Sequence, residues 1–414
     1  MVCLREGAKP CSFAGSIGQT ITMMRLRIDE QGHQLGSIRV AHSPQGLSQL
    51  DSYLERIAGP GGKGQLACIV ETTHGLLIAH LLEQGWAVYP VNPRTVERRR
   101  APSGAKTDTI DAYLLAKTGR ADFQDLRRLN PDSEQIQELK TRTGDQDALV
   151  HMQTRLAKGL TACLKAYYPV VLELFSKLHQ PSTLSFLRAY PTLQAARSAS
   201  VEDLTALLKQ ARYPGAGIAA QHMAGQLQQP CLQANAVTTR TKARLMLALV
   251  DQLEPLLKQI ADYDKEIERL FLSHADSEFF QALPGAGKRL APRLLAESGD
   301  DRSRYESASS WQALAGTSPV LFQSGTYQKA HRRLGCIKPW RNALQQFGGP
   351  STHQEAWAKE YYQRKRAEGK SHTVAVRALA NVWARILYAI WKKKEPYQTT
   401  TFEQARQAHA PRVA

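Results

Sequence analysis

Three observations predict an α/β fold followed by an all-α part. Short apolar runs alternate with helical periodicities over residues 12–125, the signature of a mixed α/β layer. From residue 131 onward the apolar positions fall at spacings of three and four. Positive charge is concentrated at one end. Of a net +17 over 414 residues, Gln281–Ala414 hold 22 Lys and Arg against 9 Asp and Glu, a surplus of 13. The sequence therefore divides into an α/β domain (12–125), a helical region with a long coiled coil (131–275), a basic, mainly helical C-terminal domain (278–395) and a tail (396–414).

In the first segment, Ile21–Ile28 and Gly36–Val40 read as a strand pair around the turn Asp29-Glu-Gln-Gly32. Ser43–Ile57 reads as a helix, because Ser43-Pro44 is a start signal and Leu47, Leu50, Leu54 and Ile57 share one face. Gln65–Val70 is a continuous apolar run suited to a buried strand, Gly75–Gln84 a helix and Ala87–Val91 another strand. A further helix starts at Thr107 or Asp108.

In the second segment, Glu134 opens a long helix whose apolar stripe is Leu149, Met152, Leu156, Leu160, Cys163 and Tyr167, ended by Pro169. Met246, Leu249, Leu253, Leu256, Ile260, Tyr263, Ile267 and Leu270 form a second, more regular seam of coiled-coil type. An ordinary helical bundle fits the same spacing. Tyr213-Pro-Gly-Ala-Gly217 belongs to a connector of short helices. The Gln-, Thr- and Ala-rich end reads as a poorly ordered tail.

Composition excludes several classes. Apolar residues make up 43% and charged residues 22%, which is ordinary globular usage. The six cysteines are scattered without a Cys-x-x-Cys pair, which excludes a disulfide scaffold, disfavours a zinc site and fits a reducing cytoplasm. No uninterrupted apolar run approaches the ~18 residues of a membrane span. The basic surplus predicts a polyanionic partner.

Several side chains are candidates for chemistry. Glu71 directly follows the buried strand, and Asp108 and Asp111 sit three apart at a helix start, on one face. Together they would offer hard oxygen donors for a divalent ion of the kind used in phosphoryl transfer on DNA. Taken alone, Glu71 reads more readily as a surface Glu at a strand end, and acids in a first turn also complement the helix dipole. Gly285 and Gly287, with Lys288 and Arg289, form a turn entering an amphipathic helix, which resembles a helix-hairpin-helix grip on nucleic-acid backbone. A helical hairpin packed only for stability fits as well. Ser324, in a Gly-flanked loop ahead of Arg332 and Arg333, is a candidate nucleophile with cations nearby, although most loop serines are turn formers.

Six stretches carry a resemblance: ACIVETTHG (67–75), VYPVNPRTV (88–96), GAKTDTIDAYLLA (104–116), LPGAGKRLAPRLLAESGD (283–300), LAGTSPVLFQSG (314–325) and YYQRKRAEGKSHTVAVRALANVWARILYAIWKKKEPY (361–397). Together, in this order over roughly residues 20–400, they resemble the insertion-sequence 110 family of transposases. That resemblance implies a RuvC-like (RNase H fold) N-terminal domain, a coiled coil and a C-terminal transposase domain. It implies a Mg²⁺-binding acidic tetrad, with Glu71, Asp108 and Asp111 matching its last three members, and Ser324 matching a serine that bonds covalently to DNA phosphate. It implies DNA as substrate, a guide RNA from the element's own ends, and a homo-oligomer, dimer or tetramer. One position departs from the pattern. The tetrad's first Asp is expected about fifteen residues before Gly32, where this chain has Ser16, Ile17 and Gly18, with no Asp or Glu between Glu6 and Asp29. The opening MVCLREGAKPCSFAGS is also unlike a family N-terminus. The sequence thus predicts a Mg²⁺-dependent, serine-nucleophile DNA recombinase. A metal-dependent junction endonuclease and an inactive nucleic-acid-binding remnant stand as alternatives.

Overall fold

A computed structural model describes residues 22–28, 34–59, 62–63, 66–73, 75–99 and 107–408. The expected turn at 29–32 and the position of the tetrad's first Asp lie outside the described residues. Contacts divide the chain into two compact units, residues 1–131 and 132–414.

In the first unit, β1 (Thr22–Ile28) pairs antiparallel with β2 (Gln34–Ala41), with an irregularity at Arg27/Ile28. Helix α1 (Pro44–Ala58) begins as its sequence suggests: the Ser43 hydroxyl accepts from the Gly46 N–H at 3.1 Å, and Pro44 opens the first turn. Strand β3 (Ala67–Val70), helix α2 (Leu76–Glu83) and strand β4 (Ala87–Pro90) make a parallel crossover unit, in which Ala67 pairs with Ala87 and Val70 with Pro90. All four β3 residues are buried because both faces are covered. Cys68 and Val70 join Leu50, Leu54, Ile78 and Leu81 in one core, while Ala67 and Ile69 face Ala112, Leu115 and Ala116 in another. Those last three lie on α4 (Asp108–Ala121), which follows the short α3 (Pro93–Glu97). The Thr107 hydroxyl caps α4 by accepting from the Ile110 N–H at 3.2 Å.

In the second unit, α5 (Glu134–Tyr167) is 34 residues long, about 50 Å. Five shorter helices follow: α6 (Val171–Leu174), α7 (Pro181–Ala189), α8 (Leu193–Arg197), α9 (Val201–Gln210) and α10 (Ala216–Gln228). Helix α11 (Ala236–Leu272) runs back antiparallel along α5. The Gln135 amide reaches the Leu270 carbonyl at 3.2 Å, the Gln146 amide donates to Asp264 at 2.6 Å, and the Cys163 thiol donates to the Lys242 carbonyl at 3.4 Å. The α11 seam is buried at Met246, Leu253, Leu256, Ile260, Ile267 and Leu270, as its spacing predicts; Leu249 and Tyr263 are half-buried.

The α5 stripe is less regular than expected. Leu160, Cys163 and Tyr167 are buried, but Met152 is 49% exposed. Two separate cores explain this. One, around Leu160, Leu187, Leu208, Met246 and Val250, gathers the short helices at one end of the pair. The other surrounds Ile136, Leu139, Ile267 and Leu270 at the opposite end. Met152 belongs to neither core.

The second core is built by the basic part of the chain: α12 (Ser277–Gln281), α13 (Gly287–Ser298), α14 (Ala308–Leu314), the hairpin β5 (Val320–Ser324) and β6 (Tyr327–His331), α15 (Lys338–Gln354), α16 (Ala356–Ala367) and α17 (His372–Lys393). Trp311 packs on Trp340, Tyr305 and Trp391 at centroid distances of 4.5, 4.9 and 4.8 Å. Arg293 of α13 makes a bidentate pair with Asp147 of α5 at 2.8 and 3.1 Å. Helix α17 is long and apolar enough to cross a membrane by length and composition, but Leu379, Ala380, Trp383, Leu387 and Trp391 place its apolar face in this core. Within the segment expected as a poorly ordered tail, residues 399–408 form α18 (Thr399–Ala408), with Phe402 packed on Trp357 at 4.3 Å. Tyr397, whose hydroxyl accepts from the Trp357 indole N–H at 2.9 Å, and Thr399, which donates to Glu355 at 3.0 Å, anchor the same segment. Among the described residues, Cys68, Cys163, Cys231 and Cys336 form no disulfide.

Glu297 on α13 is 6% exposed, and its Oε2 has no hydrogen-bond partner. Burial pushes its carboxyl above the usual range, against the opposing pull of Lys140 and Arg293. The folded state therefore keeps a proton that the unfolded chain releases near pH ~4.3, and stability from this group is lost as pH rises through the raised value. Glu297→Gln should be at least as stable as the parent at neutral pH, with the gap closing toward pH 4 in thermal melts. A variant less stable than the parent at pH 7 would show that the ionised carboxylate is needed by Arg293 or Lys140.

Candidate functional site

The carboxylates belong to the first unit. Glu71 stands half-buried at the carboxyl end of β3, the end of a parallel strand where α/β sheets place ligand-binding groups. Asp108 and Asp111 share the first turn of α4, and α4 packs against β3. The two differ in surroundings. Asp111 is 2% exposed, whereas Asp108 is 52% exposed, with the Arg39 guanidinium of β2 at 3.7 Å. The donors are of the right kind for a hard divalent ion. Among the described residues, however, no three His, Cys, Asp or Glu side chains come together as a group that could hold a metal.

The remaining candidates belong to the second unit. Gly285 sits in the α12–α13 turn with φ +80°, and a Cβ there would lie 2.9 Å from the backbone carbonyl of Pro350. Its role in this structure is close approach of the turn to α15. Gly287, φ +57°, opens α13 with free space around it. Lys288 is ion-paired to Glu268 at 2.7 Å on an exposed surface, and this carboxylate raises its pKa. Arg289 is exposed with no acidic partner among the described residues. The glycine turn thus has a packing half and a basic, solvent-facing half.

The sequence places Ser324 in a loop. It is instead the last residue of β5, paired with Tyr327 across the two-residue turn Gly325-Thr326. Gly325, φ +58°, supplies the positive φ that such a turn needs at its first position. The strand pattern escapes a sequence reading because neither face of this hairpin is buried: Leu321, Phe322 and Tyr327 are all exposed. Residues directly opposite in a hairpin share a face, so Ser324, Tyr327, Phe322, Lys329, Val320 and His331 lie together. The Ser324 hydroxyl has no hydrogen-bond partner among the described residues. It is presented at the tip of a cationic arm.

The arm is fixed only at its base. Thr317 donates to the Asn381 side-chain oxygen at 2.9 Å, Gln312 donates to the Asn381 carbonyl at 2.7 Å, and Arg333 reaches the Ser318 carbonyl at 3.4 Å. Gly316, φ +65°, lies so close to Cys336 that a Cβ would clash with its sulfur. Arg333 is therefore partly a structural tie, while Arg332 is exposed. A further signal for this face is present in the sequence: no Asp or Glu occurs from Ser307 to Gln354, nor from Gly369 to Lys394. This face cannot neutralise itself from its own segments.

Two families of known proteins match these units. One, described as a transposase of the DEDD, IS110 type, matches residues 25–169, and one described as the IS116/IS110/IS902 transposase family matches residues 277–363. The candidate transposase of the IS117 mini-circle from Streptomyces coelicolor is 29% identical over 362 residues, covering 86% of this chain and 87% of its own. The 44.8 kDa protein of IS116 from Streptomyces clavuligerus is 30% identical over 335 residues, 77% of this chain and 80% of its own. The 42 kDa protein of IS900 from Mycobacterium paratuberculosis is 28% identical over 389 residues, 90% and 94%.

The two glycines of the α12–α13 turn give a direct check. Gly285→Ala meets backbone and adopts a strained φ, so it should cost on the order of 2–4 kcal/mol. Gly287→Ala has space and should cost only its left-handed backbone, about 1–2 kcal/mol. Equal losses in urea titrations would contradict the packing role of Gly285.

Proposed function

Because the chain belongs to the IS110 family of transposases, enzymes of DNA recombination, we propose that Ser324 is its nucleophile in strand cleavage and rejoining. The carrying observation is the unpartnered Ser324 hydroxyl at the tip of an exposed arm whose face also bears Lys329 and His331. In this reading the Ser324 oxygen attacks a backbone phosphorus, and the bond from phosphorus to one deoxyribose oxygen breaks. The departing oxygen takes a proton, leaving a phosphodiester to the protein. Attack by the hydroxyl of another strand reverses the step and joins new partners. A free serine hydroxyl is a weak nucleophile, and cations near the phosphate favour the transition state by stabilising its charge.

The wider reading comprises a RuvC-like N-terminal domain, a coiled coil for α5 and α11, and a helix-hairpin-helix role for the α12–α13 turn. It also comprises a structured guide RNA, a dimer or tetramer, and action in the cytoplasm. The DEDD-type match points to divalent-metal use in general. Assignment of Glu71, Asp108 and Asp111 to Mg²⁺ rests on the family resemblance and on their oxygen chemistry. A second reading, a nucleic-acid-binding remnant without cleavage, is favoured by one observation: the described carboxylates gather no metal-holding group.

The test is a denaturing gel of full-length protein with DNA carrying the element's ends and Mg²⁺. A protein–DNA adduct should form with the parent and vanish in Ser324→Ala, while binding stays within about twofold because the basic face is untouched. An adduct at parental level in Ser324→Ala would falsify the nucleophile. Metal-dependent cutting without an adduct would favour a junction endonuclease, and binding with neither would favour the remnant.

A further inference from the structure

Three arginines flank the base of the Ser324 hairpin, and the Arg341 side chain lies against Gly316. Arg332 directly follows β6, Arg341 lies in the first turn of α15, and Arg377 lies in the second turn of α17, on the same face as Asn381, to which the base of the arm is bonded. None of the three has an acidic partner among the described residues. Arg341 is held by the Asn342 side-chain oxygen at 3.1 and 3.3 Å, and the Arg377 Nε is buried with no hydrogen-bond partner among the described residues. Burial and the neighbouring charges of Arg332 and Arg341 push Arg377 below the usual guanidinium range. Such a gathering of like charges around a buried, unsatisfied donor is costly in a free protein, and a bound anion relieves it.

We propose that Arg332, Arg341 and Arg377 form a phosphate clamp that holds the backbone of the DNA strand at a point remote from the phosphate attacked by Ser324. The separation follows from the hairpin. Four residue steps divide the Val320/His331 pair from the Ser324/Tyr327 pair, and Arg332 lies one step further. At ~3.4 Å per residue these five steps are about 17 Å along the arm. A duplex strand advances ~3.4 Å per nucleotide along its axis, so on a duplex lying along the arm the clamped phosphate is about five nucleotides from the scissile one. Guanidinium forks suit phosphate oxygens and read no base, so the clamp sets position and affinity, not sequence. The DNA assignment rests on the recombinase reading; the anion site itself does not.

The test uses the full-length parent, Arg377→Gln, Arg341→Gln and the surface control Lys359→Gln. Thermal melts compare inorganic phosphate with chloride at matched ionic strength. Phosphate should raise the parent's midpoint by at least ~2 °C more than that of Arg377→Gln or Arg341→Gln, with Lys359→Gln behaving as the parent. In chloride, Arg377→Gln should be no less stable than the parent. For a short DNA duplex, the slope of log affinity against log salt should fall by ~0.9 for each phosphate that the variant no longer neutralises. Equal phosphate shifts in all four proteins, or an unchanged slope in both arginine variants, overturn the clamp. A slope change seen only with a structured RNA of equal length overturns its assignment to DNA. If the slope falls for DNA but no Ser324-dependent adduct ever forms, the clamp stands and the nucleophile reading fails.

Discussion

The basic half of this protein depends on one aromatic junction. Trp311 of α14 is in contact with Tyr305, with Trp340 of α15 and with Trp391 of α17. Each aromatic pair contributes ~0.5–1.5 kcal/mol beyond its buried area. The larger consequence is geometric. The junction fixes α14, α15 and α17 relative to one another, and these three elements carry Gln312, Arg341 and Arg377 with Asn381. The Trp391 indole N–H, donated to the Gly299 carbonyl at 2.7 Å, ties the end of α13 into the same knot. Without that rigid base, an exposed two-stranded hairpin would be marginal in water.

That hairpin shows how charge and packing divide the work. Its strands bury nothing, so its conformation is set by the turn at Gly325 and by the few bonds at its root. Its chemistry is set by what is missing around it. Acids are absent from the segments that build the face, and the cations there are left facing one another or solvent. Electrostatic repulsion of this kind is tolerated where a polyanion supplies the opposite charge. Affinity for nucleic acid and the stability of the free protein are then coupled through the same arginines.

Much of the scaffold is legible in the sequence because its signals are local. Ser43-Pro44 and the spacing Leu47, Leu50, Leu54 define α1 without outside help, and Ala67–Val70 is apolar throughout because both its faces are covered. The seam on α11 marks the face that is buried. What escapes a sequence reading depends on distant parts of the chain. Met152 continues the α5 stripe but lies between two cores, and Phe402 has a partner only because Trp357 stands elsewhere. The site divides in the same way. Glu71, Asp108, Asp111 and Ser324 stand out through their motifs, yet the hairpin under Ser324 has no buried face to create a pattern. Arg377, one of two arginines in an apolar helix, comes near enough to feel Arg332 and Arg341 only after folding.

The recombinase reading turns on one hydroxyl, at the tip of this arm, bonding to DNA. The most direct measurement is mass spectrometry of a tryptic digest of any protein–DNA adduct. Ser324 falls in the peptide Tyr305–Lys329, which also contains Tyr327, its partner across the hairpin. The expected result is a nucleotide remnant on this peptide, with fragment ions placing it on Ser324. A remnant on Tyr327, or on any other peptide, would contradict it.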